Sequence, residues 1–334
     1  MSNTPEHFIK TALNASSVSS AEAIQSLWSG YGDIIRYTVH GSELAESVIL
    51  KAIRLGEIES HPRGWSTERS HQRKLKSYQV ESCWYQDWAK LCDSKSRVPL
   101  LLAHQHNESS IYLLLEDLDH QGYDRRYSQL NVKEAKVVLG WLANFHARFL
   151  QIESKSDWPD DWPEGLWSRG TYWHLATRPD EWGAMPDCEL KSAATAIDEK
   201  LNNAKYQTLV HGDAKIANFC FTQNLQSVAA VDFQYVGRGI GVQDLAYFLG
   251  SCFTESQLSQ TLDELLNTYF SELSQALAAQ EHSDEVIHVV KQEWRHLFPI
   301  AWADFHRFLL GWSPGHRKVT MFSQSMAIKA LSLL

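Results

Sequence analysis

Leu209-Val210-His211-Gly212-Asp213-Ala214-Lys215-Ile216-Ala217-Asn218-Phe219-Cys220-Phe221, followed by Val228-Ala229-Ala230-Val231-Asp232-Phe233-Gln234, carries the most chemistry of any stretch in this 334-residue chain. Residues 208–210 and 227–231 are short apolar runs that read as strands. Asp213 follows the first strand in a glycine-containing turn, and Asp232 ends the second, so two strands deliver two carboxylates to one edge. Lys215 lies two residues beyond Asp213 and Asn218 five. An acid that can take a proton, an amide oxygen, a second acid and a lysine suit Mg²⁺ and phosphate, because Mg²⁺ takes one or two carboxylates and completes its shell with phosphate oxygens and water. Phosphoryl transfer needs a base for the hydroxyl, metal on the phosphates and cations over the developing charge.

Upstream, residues 23–29, 34–39 and 47–53 are β-branched or alternating enough for strands, with turns at Gly30-Tyr31-Gly32-Asp33 and His40-Gly41-Ser42. Lys51 sits inside the apolar run SVILKAI, where an ammonium without a partner is costly. After a loop at His61-Pro62-Arg63-Gly64, Ser66-Thr67 caps a helix expected to reach about Leu91, with Leu75, Tyr78, Ser82 and Tyr85 on one face and Glu81 on or beside it. Residues 98–103 and 111–115 read as two more strands. Glu116-Asp117-Leu118-Asp119 then changes direction, which predicts a nucleotide-binding lobe over 1–118 and a second lobe over 119–334. Helices are expected over 132–149 and 188–203. Between them, residues 153–183 are irregular, with three prolines and five tryptophans. From residue 242 onward the pattern is helical, broken at Ser283-Asp284 and Ser313-Pro314-Gly315.

His-Gly-Asp-x-Lys-x-x-Asn followed by Asp-Phe-Gln resembles the catalytic loop and metal-binding segment of kinase-like phosphotransferases, whose protein-kinase form reads His-Arg-Asp-x-x-x-x-Asn and Asp-Phe-Gly. With Asp244 to Leu249 after it, the pattern is similar to aminoglycoside phosphotransferases and choline kinases, and most of all to the ecdysteroid-kinase-like branch, where Asp-Phe-Gln and Leu-Glu-Asp-Leu also occur. The resemblance covers most of residues 20–250. It implies a two-lobed protein-kinase-like α+β fold, with a small antiparallel N-lobe holding one long helix and a larger, mainly helical C-lobe. It implies an ATP-dependent kinase acting on a small-molecule alcohol. Asp213 would be the base, Lys215 would approach the transferred group, and Asn218 and Asp232 would ligate Mg²⁺. Lys51 would hold the α/β-phosphates and pair with Glu81. The backbone of Leu115-Glu116-Asp117-Leu118 would meet adenine, and Gly30 and Gly32 would form a phosphate loop, although the full G-x-G-x-x-G is missing. His211 and Asp244 would brace the catalytic loop. An Ala-Pro-Glu motif is missing, which argues against a protein substrate.

The composition fits this picture. Hydrophobic residues make up 44%, and the formal charge is −9, which speaks against a basic nucleic-acid surface. Five cysteines without a CxxC pair point away from a disulfide framework or a zinc site. No apolar run is long enough to cross a membrane, and no secretory leader is visible, so a cytoplasmic location is expected. No obligatory protein partner is implied. Thirteen tryptophans stand out. Most read as core or lobe-packing residues, yet Trp158, Trp162, Trp167, Trp173 and Trp182, with Trp294, Trp302 and Trp312, flank the positions where this family builds its acceptor pocket. Such walls suit a quaternary ammonium or a bulky apolar alcohol, and the branch resemblance favours the bulky alcohol over an aminoglycoside. Asp304-Phe305-His306-Arg307 could add polar contacts. Two rivals remain: a non-catalytic nucleotide-binding module and a Mg²⁺-dependent phosphohydrolase. The module is opposed by the presence of Lys51, Asp213, Asn218 and Asp232 together, and the hydrolase would need no adenine hinge.

Overall fold

The computed structural model of the protein describes residues 4–27, 30–55, 67–152 and 162–334. Five strands, β1 (Ser17–Ser26), β2 (Gly32–His40), β3 (Ser47–Arg54), β4 (Leu101–Asn107) and β5 (Ser110–Glu116), form an antiparallel sheet in the order β1-β2-β3-β5-β4. β3 is therefore central, and Lys51, registered between Ile34 and Leu113, is buried. A helix that the sequence reading passed over, α1 (Pro5–Ala12), is capped by the Thr4 side chain and begins with proline, a residue suited to that position. It lays Phe8 and Ile9 against Tyr37, Val39, Leu50 and Leu114 on one face of the sheet.

Two expected strands shift. The segment expected at 23–29 is the end of the longer β1, and residues 28–29 lie outside the described ones. The strand expected at 98–103 starts only at Leu101, because Pro99 has no N–H for a ladder, and it runs on through His104, Gln105 and His106 opposite β5. The expected helix to Leu91 is α2 (Thr67–Cys83), continued by one wide turn at Trp84–Trp88 and a tight one at Ala89–Leu91. The expected loop at 61–64 and the Ser66 cap lie outside the described residues.

Beyond β5 the chain is mainly helical. α3 (Val132–Arg148) opens with a reciprocal cap between Asn131 and Glu134. The short α4 (Pro179–Ala184) follows, then α5 (Glu189–Ser192) and α6 (Ala194–Asn202), where one helix was expected over 188–203. The expected strands at 208–210 and 227–231 appear as β6 (Thr208–Val210) and β8 (Val228–Ala230). They pair not with each other but with β9 (Gly237–Gly239) and β7 (Phe219–Phe221). α7 (Gly241–Cys252), α8 (Glu255–Ala279), α9 (Asp284–Trp312) and α10 (Met321–Leu331) complete the chain. The core runs without a break from α2 through α3 to α9. Phe233 is fully buried at its centre and stacks on Trp84 with ring centroids 4.5 Å apart. The Asp-Phe-Gln segment is thereby docked on the end of α2. No helix among the described residues is long and apolar enough to cross a membrane.

Candidate active site

The turn between β6 and β7 is fixed before any ligand arrives. Gly212 has φ 78°, and a Cβ there would run into the Tyr235 carbonyl and the Thr171 amide, so only glycine fits. The buried Asp244 of α7 accepts hydrogen bonds from the amides of His211 (2.6 Å) and Gly212 (2.9 Å) and from His146 Nε2 (3.1 Å). His211 Nε2 donates to the Val231 carbonyl (2.9 Å), and its Nδ1 accepts from the Asp213 amide (3.2 Å). This histidine spends both nitrogens on tying the two motif segments together.

Asp213 Oδ2 accepts from Lys215 Nζ (2.8 Å) and Asn218 Nδ2 (3.1 Å). Its Oδ1 is buried without a hydrogen-bond partner. An unsatisfied carboxylate oxygen costs stability, which makes it a group prepared for a proton or a hydroxyl. Asn218 Nδ2 also holds the Asp213 carbonyl (2.8 Å), leaving its amide oxygen as the free end. Burial opposes the charge on Lys215, but Asp213 and Asp232 outweigh it and hold its pKa above the usual lysine value.

From the other side of the cavity come Lys51 and Glu81. Lys51 Nζ lies 2.6 Å from the Glu81 carboxylate and 3.3 Å from Asp232 Oδ1. Burial opposes its charge, but Glu81 and then Asp232 hold the ammonium protonated. Burial would raise the Asp232 pKa, yet Lys51, Lys215 and Lys74 together bring it below its ordinary value. Asp232 has φ 69°, a conformation uncommon for a residue with a side chain and concentrated at functional sites. Gln234, to which the sequence reading gave no role, joins these parts. Its Nε2 donates to Asp232 Oδ1 (2.7 Å), and its Oε1 accepts from Lys74 Nζ (2.7 Å) on α2. Lys74, Ser77 and Glu81 share one helix face at spacings of three and four residues, the signal that could have found them.

Lys51, Glu81, Asp213, Lys215, Asn218 and Asp232 all line one cavity of about 1160 Å³, as do Glu116 and Leu118. The Glu116 carboxylate is bound by Arg97 (2.6 Å) and its amide by the Leu100 carbonyl (2.9 Å). Asp117 is pinned by Ser47 (2.6 Å) and Arg36 (2.8 Å). Gly30 and Gly32 are not among the lining residues. Gly32 is required elsewhere, because a Cβ there would strike the Ala52 carbonyl.

Most of the nominated tryptophans also point elsewhere. Trp173, Trp294 and Trp302 are buried in the core, Trp167 donates to the Gln234 carbonyl (2.8 Å), and Trp182 is exposed. Trp158 lies outside the described residues. Of the nominated set, Trp312 alone is a described lining residue, joined by Tyr172, Tyr247, Phe305 and Phe308. Asp304 and Arg307 pair with each other in the interior (2.8 Å), and only Phe305 of that run reaches the cavity. Among the described residues no three His, Cys, Asp or Glu side chains are grouped to hold a metal. Asn218 and Asp232 still fit Mg²⁺ that arrives with a polyphosphate, since its remaining ligands are then phosphate oxygens and water.

The antiparallel sheet, the helical region beyond it and the cleft-lining loop define a kinase-like α+β fold. Within that class the chain belongs to the ecdysteroid kinase-like family, whose pattern it matches over residues 66–168 and 188–282. It superposes on a choline kinase from Cryptosporidium parvum Iowa II at 10% identity, covering 95% of this chain and 88% of that one, with a TM-score of 0.50. An ethanolamine kinase from Plasmodium vivax matches at 12% identity, covering 97% and 85%, with a TM-score of 0.49. No curated protein sequence matches the chain.

Proposed function

We propose that the protein transfers the γ-phosphoryl group of ATP to the hydroxyl of a small organic acceptor, with Mg²⁺ bound beside the nucleotide. The observation that supports this most is the meeting of Lys51, Glu81, Asp213 and Asp232, drawn from four separate segments, on one cavity. We place the lobe boundary at residues 118/119, so that 1–118 hold the nucleotide and 119–334 supply the catalytic loop and the acceptor pocket.

Lys51, kept charged by two carboxylates, suits the α/β-phosphates, and Glu81 holds it there. The backbone around Glu116 and Leu118 suits a planar base, through the groups that the Glu116 amide does not already commit to Leu100. The Asn218 amide oxygen and the Asp232 carboxylate would hold Mg²⁺, which when bound neutralises charge on the β- and γ-phosphate oxygens. Lys215 faces the transferred group. The acceptor oxygen bonds to the γ-phosphorus as the bond to the bridging oxygen of ADP breaks, and Asp213 Oδ1 takes the hydroxyl proton. Alignment and fixed charge carry the rate. Gly30 and Gly32, on either side of the lining residue Tyr31, would form the turn over the phosphates.

The test is ADP release from Mg·ATP over a panel of alcohols, with the melting temperature read alongside. Acceptor-dependent release by the wild type and its loss in Asp213→Asn support the reading. A Mg·ATP melting shift without turnover of any alcohol marks a binding module instead, and no shift in folded protein removes nucleotide binding altogether.

A further inference from the structure

The acceptor end of the cavity carries the charge opposite to the net −9 of the chain. Lys318 Nζ lies 4.5 Å from the ring centre of Tyr247 and 5.2 Å from that of Phe305. The Arg178 guanidinium lies 5.6 Å from Tyr172 and 5.4 Å from Phe308. Four of the aromatic rings that could cage a quaternary ammonium therefore already have one of the chain's own cations beside them. Arg73 of α2 joins them, donating to the Thr177 carbonyl (2.8 Å) and the Ser70 hydroxyl (3.4 Å). Among the described residues, neither Arg73 nor Lys318 has a carboxylate at ion-pair distance. The nearby acids are engaged, Asp213 by Lys215 (2.8 Å) and Glu181 by Arg178 (3.2 Å).

This cluster belongs to the acceptor side. Of the two site carboxylates, Lys318 feels Asp213 and not Asp232. Burial lowers the pKa of Lys318 to about 8, and burial with the adjoining Arg178 lowers that of Arg73. Asp213 acts on Lys318, and Glu181 and Asp180 on Arg73, but none of them forms an ion pair with either cation, and burial outweighs them.

We propose that the acceptor is an organic anion: an apolar body that carries the reacting hydroxyl and, apart from it, a carboxylate or phosphate received at the cationic end of the cavity that Arg73, Arg178 and Lys318 line. The proposal rests on the kinase reading above. Phe305, Phe308 and Trp312 wall the same end and suit the apolar body. A cationic alcohol would meet like charges beside the rings of Tyr172, Tyr247, Phe305 and Phe308.

The test uses the full-length protein saturated with Mg·ADP. Melting temperature is read against three matched sets: hydroxy carboxylates and hydroxy phosphates such as 4-(hydroxymethyl)benzoate, 12-hydroxydodecanoate and glycerol 3-phosphate; their neutral amides or diols; and amino alcohols on the same skeletons. Compounds that bind are then assayed for ADP release with Mg·ATP. The expected result is that shift and turnover are confined to the anions, the carboxylate and phosphate arms telling the source apart. Arg178→Gln and Lys318→Met should each weaken anion binding at least about tenfold, the size of one lost charge-assisted contact. Arg178 also braces the Tyr172 carbonyl, so Lys318→Met is the decisive variant, with its Mg·ATP melting shift as the check on folding. Preference for neutral or amino members, anion affinity unchanged in both variants, or no anion binding at all overturns the proposal. Turnover of a neutral or amino alcohol that disappears in Asp213→Asn overturns the charge class alone, whereas loss of the wild-type Mg·ATP shift strikes the kinase reading itself.

Discussion

Where Lys51 meets Glu81 and Asp232, the buried ammonium has two carboxylates within 3.3 Å; where Lys318 and Arg73 enter the same cavity, the cations face aromatic rings, a carbonyl and a hydroxyl. The first region is electrically closed before a ligand arrives. Its charges hold one another in position, as a site for an invariant polyphosphate requires. The second is left open. Specificity resides in what that region lacks, because a site with an uncompensated charge selects the ligand that supplies the opposite one.

The sharpest way to break this comparison is Asp213→Asn, which removes the proposed base between the two regions. Turnover of an accepted alcohol should fall by about 10²–10⁴-fold, the usual worth of general base catalysis, while Mg·ATP still raises the melting temperature. Wild-type turnover in the variant would show that Asp213 is only a brace. Lys51→Met attacks the closed region. It leaves Glu81 buried and unpaired, a change that costs about 3–5 kcal/mol when a buried pair loses one member. Urea unfolding should show that loss together with the loss of the Mg·ATP shift, and Lys51→Met with Glu81→Leu should recover much of the stability without recovering the shift.

Gln234→Leu sharpens the comparison further. The side chain ties Asp232 to Lys74 on α2, and partners of metal-holding carboxylates are typically worth about 10–100-fold in metal affinity or activity. The Mg²⁺ concentration for half-maximal ADP release should rise by that factor, with the KM for the acceptor unchanged. A change in the acceptor term instead would move Gln234 to the open side.

The same asymmetry governs what the sequence makes legible. Asp213, Lys215 and Asn218 fall within six residues of one another, so their spacing alone brings them together. The Lys51 ammonium inside an apolar run demands an acid, and the resemblance, not the spacing, singled out Glu81 on α2 as that acid. Lys74 was within reach of the helical spacing that leads to Glu81, but Gln234 lies in a loop and meets it only through the tertiary docking of Phe233. The acceptor end had no such rule. Lys318 and Arg178 come from distant loops, and aromatic abundance does not tell direction, since tryptophan packs a core as well as it walls a pocket. Trp173, Trp294 and Trp302 went to the core. Gly32 carries a second demand that the sequence does not display, a close approach of its backbone to the Ala52 carbonyl.

The smallest expected effect separates the two regions by pH. Behind the aromatic wall of the acceptor end, not lining the cavity, burial and the adjoining Arg169, Arg178, Arg307 and Arg73 lower the His174 pKa to about 3, and burial lowers that of His306 to about 4, from an ordinary 6.5. Unfolded, both imidazoles take up protons as pH falls through 6.5; folded, they stay neutral until pH 4 or below. The unfolded state therefore binds more protons in that window, and stability must fall as pH is lowered from 6.5 toward 4. Asp232 acts in the same direction but in a lower pH window. Its pKa is lowered from an ordinary 3.8, so the stability it contributes is kept above that value and lost only as pH falls through the lower folded pKa. Between pH 6.5 and 5.5 each histidine accounts for about 1 kcal/mol, from 1.36 kcal/mol per pH unit. Urea midpoints at these two pH values should show the drop in the wild type and a drop smaller by about one histidine's share in His174→Gln. An unchanged drop in that variant would assign the pH sensitivity to groups outside the acceptor side.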